Sequence, residues 1–419
     1  MQNCAYTAGC FLVRYVNRFR SSIYLAPSPS RLQDFKMTKS LVDASRVNQQ
    51  DQLSNTGHTI EFILRTLYEN NPVFVKLLGD DKVVKIDSYD VSAGKGYCSR
   101  VFKTSIWIGD VDQKPYTFIM KIPTTEAWNE MGVEFSEDEK QNNEETIKKM
   151  HNAEVDAYEL LKDLNDFPKP QVYHTEKACS KKAGYIMMND LSGGFGASLG
   201  IFYTVTEKQC YNLAKHMVDF QIYADFMKGK PWFGKFTENL HANSDIEKTW
   251  MQMLLPVLNY EDQKLAEKVK FLIRLDPLKL GKYSTESRAE EIGCTTLGRP
   301  FLTLRVSSRI VPMQKSEEPV KKSVVDFFYD YLAKRYKEHG KEPNLTREQA
   351  HELYELAFVQ QTLLFGIMFG LMGLPLKDSK DKTDHAKLAK MALRFNLLLD
   401  DAILLIDKYP ALKNLMKKE

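Results

Sequence analysis

Two glycines and one lysine, placed around successive β-rich segments, are the residues best suited to bind a phosphate. Gly94-Lys95-Gly96 lies between two β-rich runs, and a third run, Tyr116 to Pro123, carries Lys121 among apolar residues. Glycine lets a backbone approach a phosphate closely, and the free N–H groups of such a loop bind its oxygens. A lysine on the next strand adds a compact positive charge. This order predicts a nucleotide site in which Gly94, Lys95 and Gly96 cover the phosphates and Lys121 contacts them.

The glycine loop by itself leaves two interpretations open. It lacks the third glycine of a protein-kinase loop, and no Gly-Lys-Ser/Thr follows at the spacing of a Walker A loop. A β-hairpin with a glycine turn, and a lysine whose charged end reaches solvent, would contain the same residues.

A glutamate on a following helix favours the nucleotide site. Apolar side chains recur at helical spacing between His151 and Leu161, and Glu154 lies beside this apolar stripe. In kinase folds, one glutamate of this helix pairs with the strand lysine and directs it at the phosphates. We therefore predict that Glu154 orients Lys121.

A polar turn after an apolar strand predicts the hinge between two lobes. The run Gly184 to Met188 is apolar, and Asn189 and Asp190 follow it. A hinge offers backbone groups to adenine, so Met188, Asn189 and Asp190 are predicted to bracket the base. The glycines and serine of Ser192 to Gly196 favour a lobe boundary directly afterwards.

Together these motifs resemble the ecdysteroid-kinase-like, or choline-kinase-like (CHK), group of small-molecule kinases, and most closely its nematode branch. The resemblance rests on four stretches: Ser-Ala-Gly-Lys-Gly from Ser92, Phe-Ile-Met-Lys-Ile-Pro from Phe118, His-Asn-Ala-Glu-Val-Asp-Ala-Tyr-Glu-Leu-Leu from His151 and Met-Met-Asn-Asp-Leu from Met187. It implies an α+β, two-lobed protein-kinase-like fold, with a β-rich N-lobe over residues 41–191 and a mainly helical C-lobe over residues 192–419. It also implies ATP and magnesium as cofactors and a small-molecule hydroxyl, of a steroid or choline-type alcohol, as the phosphate acceptor.

The catalytic segment that this group implies is missing from the chain. A His-Gly-Asp-x-x-x-x-Asn loop would supply the base and one magnesium ligand, and an Ile-Asp strand would supply another. None of the eight histidines opens such a loop, and the similar stretch from His241 to Asp245 has the wrong order. Arg288 to Gly293 resembles the helix end before the loop, and Gly293 to Pro300 resembles the segment after the strand. A gene-model error, a splice form and a true pseudokinase gene would each produce this junction.

No catalytic or metal-binding residue is therefore identified, and the chain as written is predicted to be inactive. Three interpretations of its function remain open. The first is an ATP-dependent kinase whose full gene product contains the missing loop. The second is a pseudokinase-type binding or regulatory module, and the third is a helical scaffold with an incidental β-rich lobe.

Composition fits a two-lobed globular protein and excludes several classes of function. Of the 419 residues, 43% are hydrophobic and 27% charged, which provides a large core. A net charge of +3 is too small to indicate binding to nucleic acid or an anionic membrane. The six cysteines lack a Cys-x-x-Cys pair, which favours a reducing, cytoplasmic compartment. The most hydrophobic run, Ala357 to Leu376, contains two glutamines and a proline and is predicted to be a buried helix rather than a membrane span.

The N-terminal segment, Met1 to Lys36, differs from the rest. It contains four arginines and one lysine but a single acidic residue, Asp34. A basic, acid-poor start is similar to a mitochondrial transit peptide, which makes a mitochondrial location the alternative to a cytoplasmic one. A disordered extension and a translation start at Met37 are the other interpretations.

Three local predictions complete the sequence analysis. Thr59 to Leu78 is predicted to be one helix, because Ile60, Ile63, Leu64 and Leu67 share a face. Thr124 to Met150 is predicted to be a polar loop with a helical end. A further helix is predicted to begin at Thr206.

Overall fold

The computed structural model describes residues 40–92, 98–126, 136–165, 167–192, 206–227, 229, 254–276, 279–280, 283 and 318–416. Gly94 to Gly96, the segment 1–36, the His241 stretch and the junction at Gly293 lie outside the described residues. Contacts within the chain separate two units. The first takes the described residues of 40–162 and 169–192, and the second takes those of 163–168 and 206–416. The short segment 163–168 falls inside the predicted N-lobe, but it packs in the second unit through Phe167.

The first unit begins with two helices where the sequence predicts one. They are α1 (Ile60–Asn70) and α2 (Pro72–Leu78). Asn71 separates them, and its side-chain oxygen accepts hydrogen bonds from the N–H groups of Val73 (3.1 Å) and Phe74 (3.2 Å). Because proline lacks an N–H and is favoured at the first helical position, Pro72 starts a new helix instead of continuing the old one.

A five-stranded antiparallel sheet forms the centre of the first unit. Its strands are β1 (Val83–Asp90), β2 (Ser99–Ile108), β3 (Tyr116–Pro123), β4 (Val172–Glu176) and β5 (Tyr185–Asn189). Their order across the sheet is β1-β2-β3-β5-β4, and every neighbouring pair is antiparallel. The central strand β3 pairs with β2 on one side and β5 on the other.

Helices α1 and α2 cover one face of this sheet. Phe102, Phe118, Met120 and Met187 are buried in one cluster with the apolar residues of both helices. Since successive side chains of a strand point to opposite faces, the burial of Phe118 and Met120 sends Ile119 and Lys121 to the other face. Full burial of each such apolar side chain contributes about 1.5–3 kcal/mol, which fixes the register of β3.

Helix α3 (Glu137–Leu161) is longer than the sequence predicts. The predicted helical end of the segment Thr124 to Met150 begins at Glu137, earlier than a mainly loop segment implies, and it is continuous with the helix that carries Glu154. Its glutamates and lysines are strong helix formers. The i,i+3 ion pairs Lys140–Glu137 (2.6 Å) and Lys148–Glu145 (2.9 Å) add a few tenths of a kcal/mol each.

The regular elements described in the second unit are all helices. Its α-helices are α4 (Glu207–Phe226), α5 (Gln263–Leu272), α6 (Glu318–Glu338), α7 (Arg347–Met368), α8 (Lys382–Lys408) and α9 (Pro410–Lys413). Helix α4 begins as predicted, because the hydroxyl of Thr206 accepts from the N–H of Gln209 (3.3 Å) and the side chain of Gln209 accepts from the N–H of Thr206 (2.7 Å). One buried cluster joins α4 to α6, and a second joins α5, α7 and α8.

The hydrophobic run Ala357 to Leu376 is mostly buried up to Phe369, and it is not one regular helix. It leaves α7 at Met368 and continues through a π-helical turn (Phe369–Gly373) into a 3₁₀ turn (Leu374–Asp378). Pro375, at the start of the 3₁₀ turn, lacks the N–H group that a continuing α-helix would need. No helix within the described ranges has the length and apolar character needed to cross a bilayer.

Candidate nucleotide-binding site in the first unit

Lys121 lies on the sheet face opposite α1 and α2, and it forms an ion pair with Glu154 of α3. The side chains of Lys121 and Glu154 are 14% and 5% exposed, respectively. This burial separates the pair from ordinary surface salt bridges, which contribute little. The predicted pairing of the strand lysine with the helix glutamate is present in the structure, while its role towards a nucleotide remains a prediction.

Glu154 is held among polar side chains of its own helix. The hydroxyl of Tyr158 lies 3.5 Å from the second carboxylate oxygen of Glu154. One turn earlier, buried His151 hydrogen-bonds through Nε2 to the carbonyl of Glu176 (2.8 Å). Burial lowers the pKa of His151, so the ring is neutral at pH 7. His151 therefore adds no positive charge beside Lys121 and Glu154.

Apolar side chains surround Lys121 on the same sheet face. Val101 of β2 and Ile186 of β5 are its direct cross-strand partners. Ile119, two residues earlier, pairs with Met188 of β5. Residues directly opposite each other in a sheet share a face, so these side chains border the ammonium group. A fixed ammonium group beside an apolar strip suits a ligand with a phosphate and a flat base.

The predicted hinge residues have distinct environments. Met188 is 3% exposed within the sheet. The N–H of Asn189 donates to the carbonyl of Gln171 (2.9 Å), and its side-chain oxygen accepts from the N–H of Gln171 (2.8 Å). Those two groups of Asn189 are engaged within the protein, so a role of this residue in bracketing adenine would fall to its other atoms.

Asp190 lies at the centre of a polar cluster that sequence analysis missed. Its carboxylate accepts from the N–H (2.8 Å) and the hydroxyl (2.6 Å) of Ser192, and it pairs with Nζ of Lys103 on β2 (3.0 Å). Burial opposes ionisation, but the hydrogen bonds from Ser192, Lys103 and Thr117 outweigh it and lower the pKa of Asp190. The contact between Lys103 and Asp190 ties the segment after β5 to β2 across the central strand. The period-2 alternation that places Lys103 on the Lys121 face was the available sequence signal.

The predicted glycine loop connects β1 to β2, and the described residues on either side of it are hydrogen-bonded to each other. The carboxylate of Asp90 accepts from the N–H (2.8 Å) and hydroxyl (2.5 Å) of Ser92. The N–H of Val101 in turn donates to the hydroxyl of Ser92 (3.1 Å). These contacts fix the chain at both ends of the segment that contains Gly94, Lys95 and Gly96, whose own placement lies outside the described residues.

The sheet and the ion pair define the class of fold. A lysine on β3, a glutamate on the helix between β3 and β4, and the strand order β1-β2-β3-β5-β4 are the arrangement of a kinase N-terminal lobe. The helical second unit follows it in the chain. The predicted α+β, kinase-like fold class is thereby confirmed.

Comparisons with known proteins add two similarities. Residues 77–272, just under half of the chain, match the DUF1679 family model, described as "Uncharacterized oxidoreductase dhs-27". A solved structure, described as that of a "putative aminoglycoside phosphotransferase" from Ralstonia eutropha, aligns with 10% sequence identity and a TM-score of 0.33. The alignment covers 81% of this chain and 98% of that chain. The fold class rests on the sheet and the ion pair described above. No curated protein matches the chain.

Proposed function

We propose that the protein is a kinase-like protein of the small-molecule phosphotransferase class that binds ATP in its first unit. The observation that carries this proposal is the buried Lys121–Glu154 pair. Taking two charges out of water costs several kcal/mol per ion, and their attraction offsets that cost only in good geometry. A buried ion pair is thus poor evidence of a purely stabilising role. In kinase folds, such a pair orients the ammonium group of the lysine towards the phosphates.

In this proposal, Lys121 contacts the phosphates and Glu154 orients it. Gly94, Lys95 and Gly96 cover the phosphates through backbone N–H groups. Met188 lines the base, and the backbone at Asn189 and Asp190 brackets it. The resemblance to the ecdysteroid-kinase-like and choline-kinase-like group supports a steroid or choline-type alcohol as the second ligand.

We further propose that the chain, as written, binds nucleotide without appreciable transfer. A positioned base typically contributes about 10²–10⁴-fold to such a reaction, and the sequence offers no counterpart of it. The magnesium ligands that the resemblance implies are missing as well. Among the described residues, no group of three or more His, Cys, Asp or Glu side chains is placed to hold a metal.

The oxidoreductase description of the matching family model finds no support in the described sheet. Dinucleotide-dependent oxidoreductases of the doubly wound type bind their cofactor at the carboxyl ends of parallel strands. Here all four pairings between neighbouring strands are antiparallel.

The binding proposal is tested by titrating the full chain with a fluorescent ATP analogue. The double variant Lys121→Met/Glu154→Gln removes both charges together, so it leaves no buried ion unpaired. We expect it to weaken binding by about 10- to 100-fold, the equivalent of one lost charge-assisted hydrogen bond. Lys85→Met is the matched control, because Lys85 is an exposed lysine on β1 of the same sheet. Its Nζ atom lies 4.5 Å from the ring centre of Trp107. Absence of saturable binding, or equal losses in both variants, would contradict the proposal.

The inactivity proposal is tested by ATP consumption across a panel of steroid and choline-type alcohols. The unmodified chain should show no alcohol-dependent consumption. Insertion of a His-Gly-Asp loop and an Ile-Asp strand between Ile292 and Cys294 should restore it. Robust consumption by the unmodified chain, lost in the double variant, would show that another residue acts as the base.

A further inference from the structure

Helix α3 is fastened to the β4–β5 hairpin by side chains on both sides of Glu154. Two residues before it, Asn152 accepts from the N–H of Ala178 (2.8 Å) and donates to the carbonyl of Ala178 (3.0 Å). Two residues after it, Asp156 pairs with Lys177 (2.8 Å). The helix is thereby held at both a backbone site and a charged site of one short hairpin.

The hairpin approaches α3 closely because of one glycine. Gly184 has a φ of +77°, in the region that favours glycine. A Cβ atom there would lie 2.7 Å from Nε2 of His151 and 2.6 Å from the backbone nitrogen of Ala178. The contact between the hairpin and α3 therefore requires a residue without a Cβ atom at position 184.

The Asn152 contact has the geometry of a rotational lock. Residues 151, 154 and 155 of α3 are buried. Glu154 contacts Lys121, whereas Asn152, about 200° earlier around the helix, contacts the hairpin, as His151 does through the carbonyl of Glu176. An amide that both donates to and accepts from one backbone unit fixes the rotation of the helix about its axis, and this rotation decides whether Glu154 points at Lys121.

We propose that Asn152 is a positioning residue that holds Glu154 against Lys121, so that α3 is set in place by the hairpin and not by the nucleotide. The consequence for binding rests on the ATP-binding function proposed above. The positioning itself does not, because every contact involved lies within the first unit of the protein.

The first experiment measures this positioning without nucleotide, by mass spectrometry of lysine acetylation in the intact chain. Lys103 is the internal reference, since it is 24% exposed on the same sheet and also paired with an aspartate. In Asn152→Ala, we expect Lys121 to be acetylated about tenfold faster, with Lys103 unchanged. Asn142→Ala is the matched control, because Asn142 is an exposed asparagine of the same helix. Equal acceleration at both lysines would indicate general loosening and overturn the proposal, as would no change at Lys121.

The second experiment measures ATP affinity in a double-mutant cycle. If Asn152 acts through Glu154, Asn152→Ala should weaken ATP binding about tenfold in the wild-type background and not at all in Glu154→Gln. Equal losses in both backgrounds would refute action through Glu154. If the wild type binds no ATP while acetylation of Lys121 still rises selectively, the positioning stands and the proposed function fails.

Discussion

Replacing Lys121 with methionine tests the central ion pair through stability alone. The carboxylate of Glu154, only 5% exposed, would keep its burial and lose its cation. Removing one partner of a buried pair costs about 3–5 kcal/mol, because the remaining charge is left without compensation. For a domain of this size, 1 kcal/mol lowers Tm by roughly 2–4 °C. The expected loss is therefore on the order of 10 °C for the first unit.

A second variant separates this cause from lost packing. Glu154→Gln, added to Lys121→Met, removes the unpaired charge and should recover more than half of the lost free energy of unfolding. Urea unfolding followed by circular dichroism gives the free energy of unfolding of wild type and both variants. A single variant within about 1 kcal/mol of wild type would show that solvent stabilises Glu154, and would refute the buried pair.

Three further predictions concern the residues around the site. Lys103→Met should destabilise the first unit by about 1–3 kcal/mol in urea unfolding, because the buried carboxylate of Asp190 loses one of its partners. The double variant Lys103→Asp/Asp190→Lys, which exchanges the two charges, should recover part of the lost free energy of unfolding. Gly184→Ala should cost at least about 2 kcal/mol, since its φ is +77° and the new Cβ meets backbone atoms; a Tm equal to wild type would contradict this. Burial lowers the pKa of His151 below 6.5, so acidification protonates the unfolded chain first and stability should fall as the pH drops through about 6.5. His151→Gln should weaken that dependence in Tm–pH profiles, leaving the contributions of His58 and His216, whose pKa values burial also lowers.

Local signals in the sequence predicted the residues that meet at the ion pair. Lys121 stands alone among apolar residues of a strand, and Glu154 borders the apolar stripe of a helix, so each is placed by periodicity. The start of α4 was predictable for the same reason, because a capping box is complete within four residues of sequence. The break between α1 and α2 was also encoded locally, in Asn71 and Pro72. It was missed because the apolar periodicity up to Leu67 outweighed the proline.

Other features depend on residues far apart in the chain. Lys103 and Asp190 are 87 residues apart, and Asn152 and Ala178 are 26 apart. No spacing rule connects such pairs, because their contact depends on which strands are neighbours in the sheet. The sheet order brings β5 beside β3 and sends the segment after β5 back towards β2.

The sequence by itself thus determined which residue types the candidate site can use: two glycines between β-rich runs, one lysine on a strand and one glutamate on a helix. Only the tertiary structure decided that Asn152 and Gly184 bring the β4–β5 hairpin against α3, and that Asp190 is held by Lys103. The physical reason is that periodicity assigns a side chain to a face, whereas the partner on that face is chosen by the packing of distant elements.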